Sequence, residues 1–268
     1  MSKEKENEQM FDLAELKLLV DAIQSSRFIS ERKSNDLIKK LTSMANKDDA
    51  AQLKRQVVVQ GRVKTMNESI YYVVDDIQRA ISLNHQISFE YMQWNLKKQL
   101  EKKRDEPYRV SPWALIWSED NYYLVAFDEK DERIKHFRVD KMKSIVILYE
   151  RRKGRERFKE NDLVSYTNMN FGMFGGEEKD VRIEFKNEMV GVLIDRFGKD
   201  IPINPVEREG WSETVVKVAL SRHFFGWVFS LGSGVTITGP GDVTDMFVRE
   251  INERKKIMKK KKSILDEL

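Results

Sequence analysis

The stretch Pro107–Met142, PYRVSPWALIWSEDNYYLVAFDEKDERIKHFRVDKM, constrains the fold more than any other part of this chain. Two alternating apolar runs, Tyr108–Trp117 and Tyr122–Phe127, flank Ser118-Glu119-Asp120-Asn121, a polar cluster suited to a hairpin loop. A third run, Arg133–Val139, follows a second such cluster, Asp128-Glu129-Lys130-Asp131. Strand side chains alternate between faces, so Phe137 and Val139 share one face, His136 and Arg138 share the other, and Lys141 follows just after the strand. This pattern predicts antiparallel strands with one packed face and one cationic face, the layout of a binding module.

Flanking segments extend the set. Gln86–Trp94 and Lys143–Tyr149 alternate in the same way, which makes five strands, and the very polar Asn95–Glu106 reads as a solvated loop. Before them the periodicity is helical. Asp12 and Glu15 can form a capping box ahead of Leu13, Leu16, Leu19, Val20 and Ile23. Ser30 can cap a second helix carrying Leu37, Ile38, Leu41 and Met44, and Asn67 a third that buries Ile70, Tyr71, Val74, Ile77 and Ile81. Between these two helices, Gln56–Lys64 reads as an extended connector.

After Tyr149 the basic Arg151–Arg157 and the glycine-rich Phe171–Gly176 read as a hinge. The periods then run β, α, β, β, α, β: Val181–Lys186, Glu188–Phe197, Ile203–Arg208, Thr214–Leu220, His223–Leu231 and Val235–Thr238. That order is the ferredoxin-like arrangement. A last helix from about Asp242 is expected to turn Met246, Phe247 and Ile251 inward and ends in the basic Arg254–Lys262 stretch.

A chain of 268 residues with 40% hydrophobic content can build two or three cores. Although 34% of residues are charged, the net charge is only +4, so charge alone does not establish a nucleic-acid partner. The absence of cysteine excludes disulfides, zinc–thiolate sites and a thiol nucleophile. The start is polar, with no apolar targeting segment after it, and no stretch approaches a membrane span, so a cytoplasmic protein without membrane contact is expected. His85 and His223 have no spaced carboxylate or thiol partners, and the glycines of LGSGVTITGPGD lack the spacing and Lys-Ser/Thr of a phosphate loop. With no metal, cofactor or acid–base constellation in view, the expectation is a protein that is not an enzyme.

The central strands resemble the WYL-domain family of bacterial transcriptional regulators. The naming motif falls on Tyr122-Tyr123-Leu124, and the following family segment falls on Phe137-Arg138-Val139-Asp140-Lys141. Tyr122 stands where the family has tryptophan, and Lys141 where arginine is commoner, so a planar fork becomes a point charge. The resemblance implies an α+β protein: a helical linker and dimerisation region over 1–84 and a small Sm-like β-barrel over 85–150. A hinge over 151–178 and a ferredoxin-like C-terminal extension over 179–268 complete it.

The family's ligand groove carries over onto Trp113, Tyr123, His136, Arg138 and Lys141, with Ser111 as a candidate hydroxyl donor. These residue types suit an anion with π faces, such as a single-stranded oligonucleotide or a nucleotide. The competing reading makes Trp113 and Tyr123 core aromatics and pairs Arg138 with Asp140 or Glu132. Family members commonly carry a winged helix-turn-helix upstream, for which the residues before Phe11 leave no room, so one is expected only if the chain is a fragment. The expected role is the effector-sensing part of a regulator; the alternative is a stand-alone nucleic-acid-binding accessory protein that modulates a partner enzyme or defence complex. A homodimer is also expected, from the surplus of apolar residues at Phe224, Phe225, Trp227, Val228 and Phe229.

Overall fold

The computed structural model describes residues 11–46, 49, 50, 53, 64–158, 166, 167 and 169–266, so most of the Gln56–Lys64 connector lies outside the described residues. The chain forms two compact units, Met1–Phe158 and Lys159–Leu268, of mixed α+β composition.

In the first unit, α1 (Leu13–Ser25) opens on the Asp12–Glu15 capping box, with both reciprocal hydrogen bonds at 2.8 Å. Ser30 caps α2 (Glu31–Thr42) by accepting from the Lys33 N–H. The cap of α3 (Ile70–Ser82) differs from the sequence expectation: Ser69 is the N-cap residue, and the Asn67 side chain accepts from the Ser69 N–H in a turn one step earlier. Its inner face is Ile70, Val73, Ile77 and Ala80, whereas Tyr71 is 39% exposed beneath the Lys33 ammonium.

Six strands follow: β1 (His85–Trp94), β2 (Leu100–Lys102), β3 (Tyr108–Ser118), β4 (Asn121–Asp128), β5 (Arg133–Arg138) and β6 (Met142–Arg151). All pairings are antiparallel; β6 and β3 flank β1, and β4 and β5 continue outward from β3. The sheet curls, helped by register shifts at Pro112/Ala114 and in the β1–β6 ladder, and no β5–β6 ladder closes it among the described residues. A short 3-10 turn, Val139–Lys141, joins β5 to β6. Strand β2 is an addition to the sequence reading; its residues are all exposed, so no apolar alternation announces it. Asn95 closes that hairpin by accepting from the Lys97 and Gln99 N–H groups.

One face of this sheet shares a single core with α3. Ile87, Phe89, Tyr108, Val110, Leu124, Ala126, Phe137, Val139 and Met142 are buried against Ile70, Val73, Ile77 and Ala80. Because α3 and the sheet bury the same surface, the third helix belongs to the sheet's unit rather than to a separate linker.

The second unit carries β7 (Glu178–Lys186), α4 (Val190–Phe197), β8 (Asn204–Pro205), β9 (Trp211–Ala219), α5 (Arg222–Ser230), β10 (Val235–Gly239) and α6 (Gly241–Asp266). The sheet order is β10-β7-β9-β8, wholly antiparallel. β8 is only two residues long, since Pro202 and Pro205 have no N–H to give an edge ladder. Val181, Ile183, Phe185, Val216 and Val218 pack beneath Leu193, Phe224, Phe225 and Val228.

Two expectations are corrected here. The inner face of α6 is Val243 and Phe247, one turn apart, while Met246, off that face, is 41% exposed and Ile251, a turn further on, 38% exposed. The glycine-rich Phe171–Gly176 is not a free hinge: Phe171, Gly172 and Met173 are buried, and a side chain on Gly176 would strike the Leu220 carbonyl.

Ile77 is fully buried between α3 and the sheet. Ile77→Ala should cost about 2–5 kcal/mol. Urea unfolding followed by circular dichroism and tryptophan fluorescence should show both signals shifting together; a shift in the helical signal alone would mean that α3 is not part of the sheet's core.

Candidate functional site

The sheet of the first unit has a second face, opposite α3. Residues paired directly across an antiparallel ladder lie on the same face, and the register Tyr123↔Arg138, Val125↔His136 and Phe127↔Ile134 defines this one. On β3 it continues through Ile116, opposite Tyr123, and Ser111, opposite Phe127. Tyr123 and Phe127 are four residues apart on β4, so the two ends of the face are separated by about 13 Å.

At the Ser111 end the chain occupies its own surface. Residues Arg152–Phe158, which the sequence suggested to be hinge, are docked there. The Lys153 N–H donates to Ser111 Oγ at 2.9 Å, and the Trp113 Nε1–H donates to the Lys153 carbonyl at 3.1 Å. The Arg152 guanidinium lies 4.2 Å from the Trp113 ring centroid and donates to the Pro112 carbonyl and the Asn84 side chain. Phe158 stacks on Trp113 at 5.8 Å. Gly154, at φ 79°, lies so close to the Phe127 ring that an added Cβ would fall 2.2 Å from it. Ser111 is fully buried and Trp113 6% exposed, so both are engaged by this segment rather than presented to a ligand.

The other end is polar. Arg138 donates through Nε and Nη2 to both Asp140 oxygens, at 3.0 and 2.8 Å, and through Nη2 to Asn121 Oδ1 at 2.9 Å. The pairing of Arg138 with Asp140 weighed from the sequence is thus the observed one, and these bonds raise the already high guanidinium pKa. Its Nη1 makes no hydrogen bond among the described residues, and the side chain is 37% exposed.

Tyr123 is buried to 8% exposure, which raises its pKa against the lowering effect of Arg138, and it offers little ring surface for stacking. Tyr91 reaches the same end from β1, its hydroxyl accepting from the Arg138 N–H at 3.2 Å. Burial pushes the Tyr91 phenol up to about 12. His136 is half-buried opposite Val125, and Lys141 is half-buried with no carboxylate within ion-pair distance among the described residues.

The structure therefore keeps Tyr123 and Arg138 at one end of the face, with Lys141 in the turn that follows, His136 one pair away, and Ser111 and Trp113 at the other. Asn121 and Tyr91 are members of the polar end that sequence reasoning missed. Asn121 sat in a turn cluster and Tyr91 on a non-adjacent strand, so only the ladder register reveals them.

Near the docked segment is a cavity of about 660 Å³ whose lining includes Arg104, Arg109, Lys130, Arg151, Arg152 and Lys153. Its charge is largely balanced internally, by Arg109–Glu150 at 2.6 Å and Lys153–Glu129 at 2.8 Å. Among the described residues no group of three or more His, Asp or Glu side chains is placed to hold a metal, and no helix is long and apolar enough to cross a membrane.

Comparison with known proteins agrees with this architecture. The WYL domain model matches residues 72–147, and the WCX domain model matches residues 177–253. The chain belongs to the WYL-domain family. Among the solved structures that align with it are the following two. One is proteasome accessory factor B/C (PafBC) of Arthrobacter aurescens, 19% identical, with 88% of this chain and 34% of that one covered and a TM-score of 0.31. The other is a CRISPR Cas-related protein, 13% identical, with 96% and 76% covered and a TM-score of 0.42. The chain thus spans about a third of the length of PafBC. No curated protein matches the sequence.

Gly154→Ala should undock the Arg152–Phe158 segment, since it adds a clash to an unfavourable positive φ, and should cost on the order of 1–3 kcal/mol. Trypsin cleavage after Arg155 and Arg157 should accelerate; an unchanged cleavage rate would show that the segment is not held there. The Tyr91 phenol keeps its proton to about pH 12 in the folded chain. An unfolded tyrosine loses it near about pH 10. Stability is therefore complete below the unfolded value and falls as pH rises between the two. Tyr91→Phe should flatten that fall and remove one late-titrating phenol from the ultraviolet titration.

Proposed function

We propose that this WYL-family chain is the effector-sensing part of a transcriptional regulator, and that its effector is a nucleic-acid-derived anion, a single-stranded oligonucleotide or nucleotide. The observation that carries the reading is the cationic end of the second sheet face: Lys141 without a carboxylate partner, three residues from an Arg138 that keeps one guanidinium nitrogen uncommitted among the described residues. Asp140 and Asn121 hold the Arg138 fork in a set orientation, so it meets a phosphate without first being ordered. With Trp113 and Tyr123 packed away, recognition through this end runs mainly on charge, which supplies affinity with little base discrimination.

The reading takes the curled sheet as an Sm-like barrel open between β5 and β6, and the second unit as a ferredoxin-like extension. Binding and relay, with no bond-making step, are the whole of the proposed activity. The docked Arg152–Phe158 segment supports a relay, since it runs from the same sheet face to the last residue of the first unit.

A fluorescein-labelled oligothymidylate of about ten nucleotides should bind, and affinity should fall steeply with salt as counterions are released. Lys141→Ala is the cleanest variant, because Arg138 also holds Asp140 and Asn121 in place. It should weaken binding about tenfold, or roughly 1.4 kcal/mol, and the double variant with Arg138→Ala by on the order of 2–4 kcal/mol. Unchanged affinity in a folded Lys141→Ala, Arg138→Ala chain would remove this end of the face from consideration.

A further inference from the structure

The second unit carries a surface that effector sensing leaves unused. Helix α6 runs 26 residues, but among its described side chains only Val243 and Phe247, in the first two turns, join the core. Its apolar stripe does not stop there. Ile251 and Met258 continue the line at helical spacing from Phe247, 38% and 72% exposed. Facing them on α5 is Phe229, 69% exposed, although its neighbours Phe224, Phe225 and Val228 are buried and Trp227 packs on Phe171 and Phe197. Of the five apolar residues that suggested a dimer, only Phe229 is thus left strongly exposed.

The two helices bound a groove of about 560 Å³. Gly226 is part of its wall, and a Cβ there would meet nothing within 4 Å, so the groove is open over the helix backbone. Arg222, Arg254, Lys255 and Lys259 rim it. The lining has one carboxylate, Glu250, which is already paired with Arg222 at 3.1 Å.

The charge selects the occupant. Residues 249–262, REINERKKIMKKKK, hold eight Lys or Arg against two Glu. Apposing this helix to its own copy would set like charges face to face. Nucleic acid would satisfy the cations but bring no apolar group to cover Phe229, Ile251 and Met258. A lipid surface meets convex faces, whereas these side chains line a groove between two helices. What matches both the apolar groove and the basic rim is an amphipathic helix with bulky apolar side chains on one face and carboxylates beside them. We propose that the α5–α6 groove is a docking site for an acidic amphipathic helix of a partner protein. The site stands apart from the effector reading, which concerns residues of the first unit alone.

The probe is a labelled helical peptide of about 20 residues with leucine at i, i+3, i+4 and i+7 spacing and glutamate elsewhere. Its control has lysine in place of glutamate. The full chain should bind the acidic peptide and not the basic one, and binding should weaken several-fold between about 50 and 300 mM salt. Phe229→Asp, at an exposed position, should reduce affinity by at least about tenfold. Gly226→Leu fills the groove with an uncharged, helix-favouring residue and should do the same, with circular dichroism showing that both variants fold. The proposal is overturned if the two peptides bind alike, if neither binds, or if both variants bind the acidic peptide as well as the parent does. It is equally overturned if Phe229→Asp abolishes instead a dimer seen by light scattering, or retention on phosphatidylglycerol vesicles, since the groove would then belong to a second copy or to a membrane.

Discussion

The first unit depends on one packing event: α3 laid across one face of a curled antiparallel sheet. Phe89, Leu124, Phe137 and Val139 lie beneath Ile77 and Ala80. Strand alternation then commits every intervening residue of β4 and β5 to the opposite face. Tyr123, His136 and Arg138 are where they are because Leu124 and Phe137 are buried. A slip of one residue would exchange the core and the chemical face, so the register that stabilises the sheet also positions its candidate site.

Having one buried face leaves the other to be finished in some other way, and its two ends are finished differently. At the Ser111 end the chain's own main chain supplies the partners, with the Lys153 N–H and carbonyl saturating Ser111 and Trp113. At the Arg138 end a carboxylate and an amide do so, through Asp140 and Asn121. The first solution ties the sheet to the segment leading out of the unit. The second holds the Arg138 guanidinium between a carboxylate and an amide, while Lys141, in the turn that follows, has no carboxylate partner among the described residues. Burying the ring of Tyr123 and seating Trp113 under Arg152 leaves little aromatic surface open on this face.

The second unit repeats the logic of a half-buried layer with a different outcome. Its sheet is covered by α4, α5 and the start of α6, and the chain continues α6 well past the edge of that core. The continuation keeps an apolar stripe that nothing in the unit needs, and sets it in strongly basic sequence. The excess is thus exposed apolar surface, not core.

Much of this was legible from residue order alone. Period-two runs from Gln86 to Tyr149, the capping residues Asp12 and Ser30, and the β, α, β, β, α, β order after Glu178 are local patterns, and local sterics and alternation are enough to specify them. The family motif around Tyr122 and Phe137 is local as well. What sequence could not supply is contact between segments far apart in the chain. Strand β2 has no apolar signature and exists through its ladder to Met92–Trp94. The docking of Gly154 on Phe127, the reach of the Tyr91 hydroxyl to Arg138, and the pairing of Asn121 with that same guanidinium all join residues brought together by sheet curl and register. Residue order determined that an antiparallel sheet would form with Leu124 and Phe137 on one face and Tyr123 and Arg138 on the other. Tertiary packing alone decided which of its polar groups are already satisfied, because a side chain's hydrogen-bond partners depend on where the rest of the chain closes over it.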